Sequence, residues 1–310
     1  MNKIVVVGSL NLDTTLHLNR LPKPGETVTM TKQTHAAGGK GENQAVAAAR
    51  SGAQVSFIGA VGKDEAGREL LKQLQSDRIE TKGISIMSDQ ATGQAYIMLE
   101  ATGQNAIVIQ HGANFALNAS SILPWRHEIE SADFVIAQFE TPLTVTETVF
   151  KWAKAAGART ILNPAPAQRP LSETLLQNTD LIVPNETESA LISGIPLNDH
   201  DSLVENAAYF ERRGISHVVI TLGEKGAFAW QDGKGILVPA FKVDTVDTTA
   251  AGDTFIGALA SQLDSDFDNL AKALRYASQA SALAVQSIGA LPSIPTRTTI
   301  EQALMKGSQK

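Results

Sequence analysis

Asp247-Thr248-Thr249-Ala250-Ala251-Gly252-Asp253-Thr254-Phe255 is the stretch whose reading decides the fold. Residues 241–246 ahead of it are rich in β-prone side chains and predict a strand. Behind it, Phe255, Ile256, Leu259 and Leu263 fall on one helical stripe, so a helix opens inside the segment. Ala250, Ala251 and Gly252 carry nothing large enough to block the start of that helix. Their exposed amides and the helix dipole make an anion site. An Asp near a helix start is ordinarily a cap. Here Asp253 sits among the amides, and an anion hole beside a carboxylate is what phosphoryl transfer to a hydroxyl needs. The amides stabilise the phosphoryl group in flight, and the carboxylate accepts the proton.

Working outward, strands and helices alternate. Residues 4–8 read as a buried strand ended by Gly8, and 55–58, 134–137, 160–162, 181–183 and 217–221 as further strands. Helices are expected over 43–50, 67–75, 145–156, 254–263 and 270–285. This order argues for a parallel sheet covered by helices on both faces. Residues 14–18, 27–35, 94–100 and 105–110 break the pattern: 27–35 alternates with period two, and a turn at 101–103 joins the last two as a hairpin. They read as a small sheet standing off the main body. No helix of its own covers it, so a ligand or a second subunit must bury its apolar face.

Three further segments end strands or begin helices. Gly8-Ser9-Leu10-Asn11-Leu12-Asp13 lies at the carboxyl end of the first strand, where open α/β sheets bind ligands. Gly38-Gly39-Lys40-Gly41-Glu42-Asn43 precedes an Ala-rich helix. It lacks the Gly-Lys-Ser/Thr of a P-loop and the third glycine of a dinucleotide fingerprint. Read alone it is a flexible turn with a surface Lys, or a backbone packed on a polyhydroxylated ligand with Lys40 near phosphate. Pro184-Asn185-Glu186-Thr187-Glu188 and Thr221-Leu222-Gly223-Glu224-Lys225-Gly226 follow strands; the first offers carboxylates for water-mediated Mg²⁺ contact, the second a turn able to lie along a nucleotide.

Composition narrows the classes. The 310 residues are 43% apolar and 19% charged, which supports a packed core. A net charge of −6 argues against a broad nucleic-acid surface and a polybasic membrane anchor. There is no cysteine, hence no disulfide or thiolate chemistry. With no signal-peptide core and no long apolar run, a cytoplasmic protein is expected. The six His are scattered without a zinc-hydrolase spacing, and Asp264, Asp266 and Asp268 lack the Gly and Glu of a calcium loop.

Taken together, GGKGEN at 38–43 and DTTAAGDTF at 247–255 resemble the ribokinase-like carbohydrate kinase family. The likeness runs from VVVGS at 5–9 to GALPS at 289–293, with NPAPA at 163–167, PNETE at 184–188 and TLGEKG at 221–226 in between. It implies an α/β fold, a three-layer sandwich around a mostly parallel sheet, with a small β-sheet lid. One kinase domain over 1–310, its lid strands from about 14–36 and 92–111, is the expected organisation. It also implies ATP-dependent transfer of phosphate to the 5-hydroxyl of D-ribose, with Mg²⁺ accompanying ATP, K⁺ as activator and a homodimer through the lid. Deoxyribose, a nucleoside or another pentose is the alternative substrate, and a non-catalytic sugar sensor is the alternative class.

By position, the resemblance assigns roles. Asn11, Asp13, Gly39, Lys40, Gly41, Asn43 and Glu140 would bind sugar, with Asp253 contacting it as well. Asn185, Thr221, Leu222, Gly223, Glu224, Lys225, Gly226 and Ser278 would line the ATP site, along with Gly252 and Asp253. Asp253 would be the base and Ala250, Ala251 and Gly252 the anion hole. Glu188 would organise Mg²⁺ through water. Asp247, Thr249, Ala284, Ser287, Gly289 and Ser293 would hold the monovalent cation. Two positions depart from the pattern. Glu42 replaces a small residue, usually Ala, and either alters substrate choice or faces solvent; Ser278 lies where members vary, which bears on nucleotide preference.

Overall fold

The computed structural model describes residues 1–307; the last three residues of the expected domain lie outside the described residues. Thirteen strands are found: β1 (Lys3–Val7), β2 (Asn11–Leu18), β3 (Met30–Gly38), β4 (Gln54–Gly62), β5 (Glu80–Met87), β6 (Gly93–Glu100), β7 (Asn105–Gln110), β8 (Phe134–Ala137), β9 (Arg159–Leu162), β10 (Leu181–Ile182), β11 (His217–Thr221), β12 (Ala227–Gln231) and β13 (Lys234–Val238). Nine of them form one sheet in the order β13-β12-β11-β10-β9-β8-β1-β4-β5. From β11 through to β5 every neighbouring pair is parallel; β12 and β13 add an antiparallel hairpin at one edge.

The sheet is buried on both faces. Ile4 and Val6 of β1 join a core with the helices Lys40–Arg50, Ala251–Gln262 and Leu270–Ala284. Val5 and Val7 point into a second core with the helices Leu143–Ala156 and His200–Glu211. This is why the central strands read as continuous apolar runs. Two helices of the first layer lie unusually close: a Cβ on Gly257 would stand 2.3 Å from the Gln44 carbonyl oxygen and 2.6 Å from Ala47 Cβ. That contact brings the starts of the 40–50 and 251–262 helices together.

The second sheet has the order β3-β2-β6-β7, with β2 and β6 parallel and the outer pairs antiparallel. β2 begins four residues after β1 ends, and β3 runs back into Gly39 and the 40–50 helix. The small sheet is therefore connected to the main one at the carboxyl end of β1. β1 is flanked by β4 on one side and β8 on the other, so the chain reverses its winding direction there. A crevice at such a switch point is where this architecture takes ligands.

Residues 241–246 form no strand. β13 already occupies the sheet edge, and this stretch crosses from it to the 251–262 helix with four of six residues exposed. β5 and the β12–β13 hairpin were not anticipated, nor were the helices Glu186–Ser193, His200–Glu211 and Arg297–Gly307. No helix among the described residues is long and apolar enough to cross a membrane.

Candidate active site

Ala250 sets the entry to the 251–262 helix. Its backbone is left-handed at φ 59°, a region in which a residue with a side chain is strained and is kept only when the surroundings demand it. The Ala251 N–H turns back to the Thr248 carbonyl at 3.2 Å. The Ala250, Gly252 and Asp253 N–H groups have no acceptor among the described residues, so within the 250–252 run only the Ala251 amide is engaged. Asp253 is buried, and both of its oxygens accept amide protons: Oδ2 from Asn43 Nδ2 at 3.0 Å and Oδ1 from Gln44 Nε2 at 2.9 Å. A carboxylate held by donors on both oxygens is presented as an acceptor, the form in which a base works. The cleft in front of it is lined by Lys40, Asn185, Glu188, Thr221, Thr248 and residues 250–253.

On one flank stand the residues delivered by β1, β2 and the 38–43 turn. Asn11 opens β2, and its Oδ1 accepts from Asn114 Nδ2 at 2.8 Å. Glu140 Oε2 accepts from the Lys40 backbone N–H at 3.0 Å and from the Ser9 hydroxyl, locking the turn onto the end of β8. Burial, with the neighbouring Glu140 carboxylate second, pushes Asp13 up to about 7. Asn43 Oδ1 is buried and has no partner, an acceptor left for something the chain does not supply. Lys40 is opposed by burial, but Asp253, Glu140 and Glu188 outweigh it and hold its pKa above the ordinary value.

Glu42 neither faces solvent nor lies open to the cleft. It is fully buried, and neither carboxylate oxygen has a hydrogen-bond partner. Burial, reinforced by Asp13, Asp77 and Glu69, pushes its pKa well above the ordinary 4.5. The unfolded chain loses this proton near 4.5 while the folded one keeps it. Folding then binds more protons, and stability falls as pH rises above about 4.5 towards the folded value. Glu42→Gln removes that dependence. Its melting temperature should exceed the parent's by roughly 3–6 °C at pH 8 and by much less at pH 5. A pH-independent difference in melting scans would refute the buried neutral acid.

The other flank is the end of β10 and β11. Asn185 caps the 186–193 helix through a reciprocal box: its Oδ1 accepts from the Glu188 N–H at 2.8 Å, and Glu188 Oε2 accepts from the Asn185 N–H at 2.9 Å. Burial raises Glu188 above its ordinary value, against the pull of the Asn185 amide and Lys40. Thr221 ends β11, and residues 222–226 form a tight turn closed by Leu222 N–H to the Gly226 carbonyl at 2.8 Å. Ser278 is buried on the 270–284 helix, its hydroxyl without a partner, and is not among the residues lining the cleft.

Asp247 ties the segment before Ala250 to the 284–293 segment. Its Oδ1 accepts from the Thr249 N–H and hydroxyl at 2.9 and 2.7 Å, its Oδ2 from the Gly289 N–H at 2.8 Å, and the Val246 and Asp247 amides both donate to the Val285 carbonyl. Burial raises the Asp247 pKa, yet these bonds leave it below the ordinary value. Asp247 thus brings one formal charge, beside the Thr249 hydroxyl and the Val285 carbonyl, to the place where the two segments meet. In the cleft, Glu188 is the carboxylate beside Asp253, and no group of three or more His, Asp or Glu among the described residues forms a cage. That set fits Mg²⁺, which keeps waters and takes phosphate oxygens.

Sequence reading missed Gln44, Gln138, Asn163, Ser9 and Asn114. All are buried and all hydrogen-bond to site residues or to one another; Ser9 and Asn163 fall in segments quoted above but carry no assigned role, and Gln138 and Asn114 show no local signal. Gln44 directly follows Asn43 at the start of the 40–50 helix.

Comparison with known proteins places the chain in a family. A profile described as pfkB family carbohydrate kinase matches residues 1–297. The chain is 47% identical over 301 residues to a bifunctional ribokinase/ribose-5-phosphate isomerase A of Fructilactobacillus sanfranciscensis, covering 97% of this chain and 56% of that protein. So the chain spans little more than half of that relative. It is 42% identical over 302 residues to a ribokinase of Staphylococcus aureus, covering 97% and 99% of the two. The solved structure of Arabidopsis thaliana ribokinase complexed with ribose and ATP superposes with a TM-score of 0.90 at 32% identity, over 97% of this chain and 98% of that one.

Proposed function

The chain belongs to the pfkB family of carbohydrate kinases, and from that premise we propose that it transfers the γ-phosphoryl group of ATP to the 5-hydroxyl of D-ribose. The observation that carries the reading is Asp253: a buried carboxylate beside free helix-N-terminal amides, at the floor of a cleft with hydroxyl-binding groups on one flank and the Thr221 turn on the other. Asn11, Asp13, Gly39, Gly41, Asn43 and Glu140 take the sugar. Asn185, Thr221 and the 222–226 turn take the nucleotide. The sugar hydroxyl gives its proton to Asp253 while its oxygen bonds to the γ-phosphorus; the bond from that phosphorus to the β–γ bridging oxygen breaks, and ADP leaves. The Gly252 amide and Lys40 meet the charge on the transferring group. Mg²⁺ near Glu188 neutralises phosphate charge when bound. A panel of D-ribose, 2-deoxyribose, fructose and adenosine with ATP tests the reading. Ribose should give the highest kcat/KM, and a higher value for any other acceptor overturns the substrate.

The same proposal includes a monovalent-cation switch. Asp247, Thr249, Ala284, Ser287, Gly289 and Ser293 belong to two segments already bonded together immediately ahead of Ala250. An ion there orders the entry to the anion hole without touching substrate. Titrating K⁺ at constant ionic strength should raise activity several-fold to saturation, and Asp247→Ala should abolish the rise. Equal rates with and without K⁺ would remove the switch.

It also includes a homodimer through the lid. Met30, Ile107, Val108 and Ile109 are exposed on the edge strands β3 and β7, which present unpaired backbone and apolar surface together. Sedimentation at micromolar concentration should give twice the monomer mass; a fully active monomer would count against it.

A further inference from the structure

We propose that Gln44 and Gln138 form a positioning relay that fixes Asp253 Oδ1 and leaves Oδ2 to meet the substrate hydroxyl. The inference rests on Asp253 being the base. Gln44 is fully buried on the 40–50 helix. Its Nε2 donates to Asp253 Oδ1 at 2.9 Å and to Asn163 Oδ1 at 3.1 Å, which uses both amide protons. Its Oε1 accepts from Gln138 Nε2 at 2.6 Å. Asn163 in turn donates through Nδ2 to the Val183 carbonyl at 3.2 Å.

These bonds give the relay one direction. Turning the Gln44 amide over would set its oxygen against Asp253 and Asn163 oxygens, and its NH₂ against the Gln138 NH₂. Three repulsive contacts would replace three bonds. Gln138 and Asn163 each stand one residue past the end of a central strand, β8 and β9, so the relay is anchored on the main sheet. Gly8 leaves room for it: a Cβ there would lie 2.3 Å from Gln138 Oε1. Oδ1 of Asp253 is thus engaged from the interior. Oδ2 is shared with Asn43, whose own Oδ1 is unpartnered and which belongs to the 38–43 turn. The charged groups facing Asp253 are Lys40, from the helix of Gln44, and Glu188, from the 186–193 helix. Neither competes for Oδ1, because neither bonds to Asp253 directly.

Gln44→Leu should lower kcat roughly 10- to 100-fold, the scale of misplacing a reacting group by about an ångström. KM for sugar and for ATP should stay within about threefold. Gln44→Glu supplies a readout that packing alone would not move. At low pH the introduced carboxylic acid donates to Oδ1 as the amide does. As pH rises it ionises beside Asp253, donation ends and like charges meet. This variant should approach parental kcat at the acid end and show a new alkaline limb that the parent lacks. Because it is nearly isosteric, it carries the test even if the Leu variant does not fold. Parental pH–kcat profiles in Gln44→Glu, or kcat within twofold in a folded Gln44→Leu, overturn the relay. Asp253→Asn, run alongside, separates the two ideas. If it collapses while the Gln44 variants behave as parent, only the relay falls. If it stays active, the base assignment falls, and the relay with it.

Discussion

Asp253→Asn should reduce kcat by roughly 10²–10⁴, the range lost with a general base, while sugar and ATP dissociation constants change only a few-fold. The substitution keeps the shape of the side chain and its place on the helix, and the Gly252 amide and Lys40 stay where they are. What disappears is the ability to take a proton from the attacking hydroxyl. An amide does not ionise at any accessible pH, so raising the pH should not rescue turnover. The new NH₂ must also oppose either Asn43 Nδ2 or Gln44 Nε2, both donors to the native carboxylate. A small loss of binding and of melting temperature is expected from that clash, much smaller than the loss of turnover. Steady-state kinetics with calorimetric titration of the sugar separates the two quantities. A kcat within tenfold of the parent would end the assignment of Asp253 as base.

The parts of the molecule that could be read from the chain are those where one local pattern decides the outcome. β8 and β11 fall at Phe134–Ala137 and His217–Thr221 because strands buried on both faces are short apolar runs bounded by polar residues. β7 falls at Asn105–Gln110 because the turn at Gly103 folds this β-prone run back against β6 as an antiparallel hairpin. Residues 241–246 carry the same kind of local signal, yet β13 takes the place at the sheet edge and this stretch crosses to the 251–262 helix without pairing. The site divides along the same line. Asp253 and the 38–43 turn are visible as motifs, since glycines and a carboxylate at a helix start have a local physical meaning. Gln44 is not: its bond to Asp253 joins residues 209 apart, and only the close approach at Gly257 brings the two helices together. Glu42 shows the limit from the other side. Its identity was plain, but whether it met solvent or the interior depended on packing that no spacing encodes.

Lys40→Met should lower kcat/KM for ATP by roughly 10²–10³, about 2.7–4 kcal/mol of lost charge stabilisation, with sugar affinity within a few-fold. Lys40 is half-buried at the start of the 40–50 helix and lines the cleft together with Asp253 and Glu188. No ion pair among the described residues ties its ammonium down. Burial works against its charge, but three carboxylates, Asp253, Glu140 and Glu188, hold it cationic. The relation is mutual. Without the ammonium those carboxylates present uncompensated negative charge where a nucleotide triphosphate must enter, and they repel it. The Met variant therefore loses attraction in the ground state and stabilisation of charge developing on the transferring phosphoryl group, so KM for ATP should rise and kcat should fall together. Met fills the volume of the Lys stem, and the backbone N–H of residue 40 still bonds Glu140, so the turn keeps its shape. Lys40→Arg restores the charge on a wider, planar head and should recover ATP affinity more fully than kcat, because position as well as charge matters at the reacting phosphorus. Varying ATP at saturating sugar reads both parameters. If the Met variant keeps kcat/KM for ATP within threefold of the parent, the phosphate does not pass beside Lys40, and the cleft's charge balance has to be assigned to another group.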